Sequence, residues 1–153
     1  MNLSLSEEIQ NFGQKGMEND LKKLETLIFE VRGCQVILDR DLAALYGVET
    51  KALNQAVKRN IERFPEDFMF KLTKDECLRS QIVTLNTTQG KHMKYMPYVF
   101  AEQGVAMLFA VLHSKVAVNV SINIMNAFVA MRWIHMLRVG GGLSKFHFGT
   151  NCH

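Results

Sequence analysis

Between residues 28 and 38, β-branched and aromatic side chains (Ile28, Phe29, Val31, Val36, Ile37) flank Arg32 and Gly33. This pattern predicts two short strands around a tight turn, since glycine accepts the positive φ that such turns need. The apolar period then changes. Leu42, Ala43, Leu45 and Tyr46 follow Asp39, and Gly47 closes the run, which predicts a short helix from Asp39 to Tyr46 with the Asp39 carboxylate capping its first turn. After Thr50, Leu53, Ala56, Val57 and Ile61 recur at three- and four-residue steps. A second helix is therefore expected from Thr50 to Asn60, capped by Thr50 and stopped before Pro65. Asp67 to Leu72 has the apolar character of a strand, and Thr73 with Glu76 makes a capping box that opens a brief helix through Arg79. Tyr95 to Val99 reads as a further strand, assigned to a sheet edge because Pro97 cannot donate to a ladder.

Glu102 to Leu112 is expected to be helical. Beyond it the pattern is ambiguous: valine and isoleucine alternate with smaller residues from Val116 to Ile124, as in a strand, whereas Asn119, Asn123 and Asn126 fall on one helical stripe and no turn signal interrupts the run to Trp133. One helix is expected, with an apolar surface wide enough to belong in a core or a subunit interface. Its charge-free stretch, Val116 to Met131, is too short and, with Asn119, Asn123, Asn126 and Ser121, too polar to span a bilayer, so no membrane partner is expected. The predicted architecture is α+β: a short hairpin, a helix-turn-helix, a small antiparallel β wing formed by the strands near residues 70 and 97, and a pair of C-terminal helices. Residues 28–138 form the domain, 1–27 an N-terminal arm in which residues 21–27 have the charge and apolar spacing of a short amphipathic helix, and 139–153, with Gly140, Gly141 and Gly142, an unstructured tail.

Composition adds one domain's worth of core, with 48% hydrophobic residues in 153. The net charge of +3 says little by itself, but its distribution says more. Six acids (Glu7, Glu8, Glu18, Asp20, Glu25, Glu30) fall in the first thirty residues, and none follows Glu102. Between Thr50 and Phe64, Lys51, Lys58, Arg59 and Arg63 face a single acid, Glu62, a concentration of positive charge on one helical stretch that fits a polyanion partner. Cys34, Cys77 and Cys152 are odd in number and widely spaced, which matches neither a disulfide framework nor a zinc site and favours a reducing cytoplasm. The first residues lack the basic start and apolar run of a secretory signal.

An α-helix fits the major groove of B-DNA, and Asn, Gln, Lys and Arg carry the donors and acceptors that match base edges and phosphates. The outward face of the second helix collects Lys51, Asn54, Gln55, Lys58 and Arg59. Asn54 and Gln55 are expected nearest the bases, Lys51 near either, and Lys58, Arg59 and Arg63 at phosphates. Such a face would also serve plain solvation of a surface helix; the short helix and the Gly47 turn before it make the two-helix unit that supports a reading helix. Lys91, His92 and Lys94, between the two wing strands, would reach a neighbouring phosphate or groove. His113 and His135 sit among apolar residues and read as packed histidines. Neither a nucleophile with its base, nor paired carboxylates, nor a phosphate-cradling glycine loop is present, so no enzyme, small-molecule cofactor or metal is expected.

The run Asp41 to Val48, then Leu53 to Asn60, then Arg63 to Phe70 resembles the ORF-six-N domain of phages and prophages, which is related to the KilA-N DNA-binding domains. Leu78 to Thr84, Tyr95 to Tyr98, Glu102 to Leu108 and Asn123 to Val129 continue the match, from about Ile28 to Arg132. The resemblance implies a double-stranded DNA-binding domain of bacterial mobile elements, with regulatory or antirepressor-like roles. Ala101 stands where the family usually has Thr before Glu-Gln-Gly, which removes a capping hydroxyl. From another class, the apolar helix Val116 to Arg138 would make the chain a protein-interaction module or a homodimer.

Overall fold

The computed structural model describes residues 20–80, 96–113 and 115–139. The expected arm up to residue 19, the tail from residue 140, and the loop carrying Lys91, His92 and Lys94 lie outside the described residues. Residues 20–27 form helix α1, whose Leu24 is buried in the core.

Strands β1 (Phe29–Val31) and β2 (Cys34–Leu38) pair antiparallel with Val31 opposite Cys34. Arg32 and Gly33 have φ of 54° and 75°. A two-residue turn with both central residues left-handed matches the twist of the strands it joins, so this hairpin follows the sequence expectation. Helices α2 (Asp39–Tyr46) and α3 (Thr50–Arg59) come next, then a 3-10 turn (Ile61–Arg63), β3 (Met69–Lys71) and α4 (Lys74–Arg79). Strand β4 (Tyr98–Ala101) and helices α5 (Glu102–Leu112) and α6 (Lys115–Arg138) complete the order.

The strands make one four-stranded antiparallel sheet in the order β1-β2-β4-β3. β4 is thus internal, which corrects its assignment to an edge. Pro97 lies just before the strand, where its missing N–H costs no ladder bond, and its carbonyl accepts from the Leu72 amide at 3.0 Å. The two strands expected as a wing are adjacent, but they form one half of this larger sheet.

Alternation along the strands gives the sheet two buried faces. One face presents Ile37 and Phe100 to a core with Leu42, Leu53, Val57, Val105, Leu108, Ile124 and Phe128 from the helices. The other gathers Val31, Cys34, Val36, Leu38, Phe70, Leu72 and Val99 beneath Cys77 of α4. Cys77 is a free thiol, while Cys34 is disulfide-bonded, a bond of which the odd cysteine count gave no sign.

The second face is closed by charge as well as by packing. Thr73 and Glu76 form the expected capping box, the Thr73 Oγ1 accepting from the Glu76 amide at 3.2 Å and Glu76 Oε1 from the Thr73 amide at 3.0 Å. Arg32, projecting from the hairpin turn, donates to both Glu76 oxygens at 2.9 and 2.8 Å and lies 4.4 Å from the Phe70 ring centroid. These bonds from Arg32, with smaller help from Thr73, hold the Glu76 carboxyl at a pKa of about 2 against an ordinary 4.5.

α5 starts in close contact with the loop before β3. The Phe68 carbonyl accepts from the Ala101 amide at 2.9 Å, and a Cβ on Gly104 would stand 2.2 Å from the same oxygen. Glycine is required there by space. Ala101 is the residue before the helix and makes no side-chain capping bond, as its methyl group dictates, and Glu102 is paired with Arg132 of α6. α6 is one helix despite its strand-like alternation: Ala117, Ser121, Ile124 and Phe128 recur at three- and four-residue steps on its buried side. The Tyr46 hydroxyl, hydrogen-bonded to Ser121 at 2.7 Å, joins α2 to it. No helix among the described residues is long and apolar enough to cross a membrane.

Candidate nucleic-acid interface

α2 and α3 are joined by Gly47, Val48 and Glu49. Gly47 is left-handed, and its amide bonds to the Ala44 carbonyl at 3.2 Å while that of Val48 bonds to Ala43 at 2.9 Å, the paired closure that ends a helix sharply and turns the chain. Leu42 and Ala43 on α2 and Leu53 and Val57 on α3 are buried, so the second helix rests on the first and on α5 behind it.

Both helices begin at the residues the sequence suggested, Asp39 and Thr50, but neither is capped as expected. The residues at the cap positions are Leu38 and Glu49, and neither makes a side-chain capping bond. Thr50 is already helical. Asp39 is also helical, and its carboxylate, 5% exposed, does something else. Oδ1 accepts from the Arg40 amide at 2.7 Å, and Oδ2 accepts from Asn54 Nδ2 at 3.0 Å and from the Tyr98 amide at 3.4 Å. A buried carboxylate without donors would be costly; here three N–H groups from α2, α3 and β4 converge on it. Asp39 therefore ties the start of the supporting helix to the middle of the next helix and to the central sheet.

The consequence falls on Asn54. Expected at the bases, its side chain is directed inward to Asp39, and its Oδ1 is buried with no hydrogen-bond partner among the described residues. A helical projection accounts for this: Asn54 lies on the flank between the outward Lys58 and the buried Val57. A polar residue bordering a buried stripe was the available signal, but its partner stands fifteen residues earlier in the chain. Burial also pushes the Asp41 carboxyl above its ordinary range, against the pull of Arg40.

Lys51, Gln55, Lys58 and Arg59 are all exposed and share one face of α3, and Arg63 continues the positive charge on the following turn, also exposed. α3 contains no acid, and its last turn carries Lys58 and Arg59. Its C-terminal Asn60 closes back on Ala56 through a 2.9 Å bond. Five of the eight expected contact residues are thus brought together, Asn54 is drawn inside, and Lys91 and Lys94 lie outside the described residues. Other cations are engaged elsewhere: Arg32 by Glu76, and Lys71 over the Tyr98 ring at 5.9 Å. Among the described residues no group of three or more His, Cys, Asp or Glu side chains is placed to hold a metal ion.

A chain with this arrangement can offer an exposed helix, with cationic and amide side chains outward, to a groove lined by phosphates. Compared with known proteins, residues 26–111, more than half of the chain, match the model of the ORF6N domain family. Neither a curated protein nor a solved structure matches it.

Proposed function

Because the chain belongs to the ORF6N domain family, we propose that it binds double-stranded DNA by laying α3 in the major groove, and that it acts as a regulator of a phage, prophage or other mobile element. The reading is that of a binding protein and not of an enzyme. The observation that carries it is the exposed, acid-free face of Lys51, Gln55, Lys58 and Arg59, mounted on a helix whose opposite side is fully buried at Leu53. Gln55 can pair bidentately with an adenine edge, Lys51 reaches a base or a phosphate, and Lys58, Arg59 and Arg63 neutralise phosphates. Asn54 takes a different part from the one its position suggested. It sets the seating of α3 through Asp39, and the base-reading role rests on Gln55 and Lys51.

Duplex affinity measured across a salt series tests this directly. Each neutralised phosphate contributes a log–log slope of about 0.9, so Lys58→Ala should weaken binding to every sequence alike and flatten the slope by roughly that amount, whereas Gln55→Ala should relax preference at one base position. A folded chain with no measurable duplex binding at low salt would overturn the proposal. A second reading, as a protein-interaction module, is favoured by the exposed apolar side of α6.

A further inference from the structure

We infer that the exposed side of α6 is an antiparallel homodimer seam, in which Trp133 of each copy packs beside Val118 of the other.

α6 turns its two sides to different surroundings. Ala117, Ser121, Ile124, Ala127 and Phe128 are buried against the domain. On another side Val118, Ile122, Val129 and Trp133 are 39%, 53%, 39% and 58% exposed. From Val118 through Ile122 and Met125 to Val129 the steps are four, three and four residues, and Met136 falls seven beyond Val129. This is the 3.5-residue spacing with which one helix packs along another, and Ile122 and Val129 occupy equivalent positions one heptad apart. Met125 and Met136 are half-buried, Met125 against the domain core, and Val118, Ile122 and Val129 are the exposed members. No charged residue occurs between Lys115 and Arg132, whereas a solvated helix face normally carries several.

The stripe is complementary to itself, and this selects a second copy as the occupant. Val118 and Trp133 are equally distant from the point between Met125 and Asn126, and so are Ile122 and Val129. A two-fold axis at that point sets Val118 against Trp133 and Ile122 against Val129 in both directions, an isologous contact. In the same alignment Lys115 meets Met136 and Arg132 meets Asn119, so no cation meets a cation. At the Val118 end a groove of about 350 Å³ lies between α5 and α6, lined by Phe109, Ala110, His113, Lys115 and Val118. Phe109 is itself 44% exposed. The indole of the partner's Trp133 fills that groove, with the Lys115 ammonium within reach of its ring face.

The seam stands independently of the DNA reading, and the test uses no DNA. Trp133 is the chain's single tryptophan, so its emission reports the seam alone. In the full-length chain, sedimentation velocity between about 1 and about 100 µM should show a monomer–dimer equilibrium, with emission moving to shorter wavelength as the dimer forms. Ile122→Glu and Val129→Lys, both at exposed positions, should each give monomers with unchanged helical circular dichroism. Mixing these two variants should restore association, because an antiparallel pair sets the new acid against the new base and leaves one native Ile122–Val129 contact. A wild-type chain that stays monomeric over the whole range overturns the proposal, including the case in which its Trp133 emission is already shielded, which would mean that the chain covers this face itself. A dimer indifferent to Ile122→Glu, or variants that fail to associate when mixed, would overturn it as well.

Discussion

The two faces of the sheet are closed by different means. On one, Ile37 and Phe100 disappear into a core shared with α2, α3, α5 and α6, and the proposed reading helix is seated on that core. On the other, a smaller cluster around Val36 and Val99 is covered by α4, a six-residue helix, which is held by the grip of Arg32 on Glu76. The first face draws its stability chiefly from area removed from water. The second depends in part on an ion pair whose Arg32 side chain is 39% exposed, and solvent screens such pairs. The proposed DNA-contact surface is thus built on the side held mainly by apolar burial.

Phe100→Ala is the most damaging way to break this contrast. Phe100 is fully buried, meets the edge of Phe64 at a 6.2 Å centroid distance, and its truncation should cost about 3–5 kcal/mol in denaturant unfolding. Gly104→Ala should follow at roughly 3 kcal/mol, since a methyl group 2.2 Å from the Phe68 oxygen must push backbone and not a flexible side chain. Asn54→Ala withdraws one of three donors from buried Asp39 and should cost about 1–2 kcal/mol, while its exposed neighbour Gln55→Ala should stay within about 0.5 kcal/mol. Equal effects at the two positions would show that the inward clamp contributes nothing.

The smallest effect belongs to the second face. Glu76→Gln should cost about 0.5–1 kcal/mol near neutral pH, discounted for the exposure of Arg32. The sign follows from the direction of the shift. The folded carboxyl titrates at about 2, below its ordinary 4.5, so its contribution is complete above 4.5 and fades as pH falls from there toward 2. The difference in thermal midpoint between wild type and variant should therefore be flat from neutrality to about 5 and shrink below 4.5. A difference that persists undiminished at low pH would remove the ion pair as its cause.

Local chemistry made much of this fold legible. The Arg32-Gly33 turn, the Gly47 stop, the Thr73–Glu76 box and the spacing of Leu53 and Val57 each depend on residues a few positions apart. What escaped was set by partners far along the chain. Pro97 suggested an edge because nothing local revealed that the ladder begins one residue later, with strands on both sides. Asp39 looked like a cap because its partners, Asn54 and Tyr98, stand 15 and 59 residues away. The same distance hid Asn54's inward turn. The Glu-Gln-Gly run resembled the family pattern, but the need for Gly104 became apparent only with the Phe68 carbonyl against it. On α3, by contrast, the positions of Lys51, Gln55, Lys58 and Arg59 followed from helical period alone.

The pinning of the chain on both sides of residues 81–95 has a consequence for how such sequences can vary. Leu72 is bonded to Pro97, and β3 is laddered to β4, so the two ends of that stretch are held together by bonds that do not involve it. Closing a longer connection between fixed ends costs only about 0.6 kcal/mol for each doubling of its length. Insertions between Ser80 and Met96 therefore leave the Leu72–Pro97 bond and the β3–β4 ladder in place. A peptide tag or a foreign recognition loop grafted there should leave the hairpin, the sheet and the seating of α3 intact, making this the natural point at which relatives could diverge in length and an experimenter could add a handle.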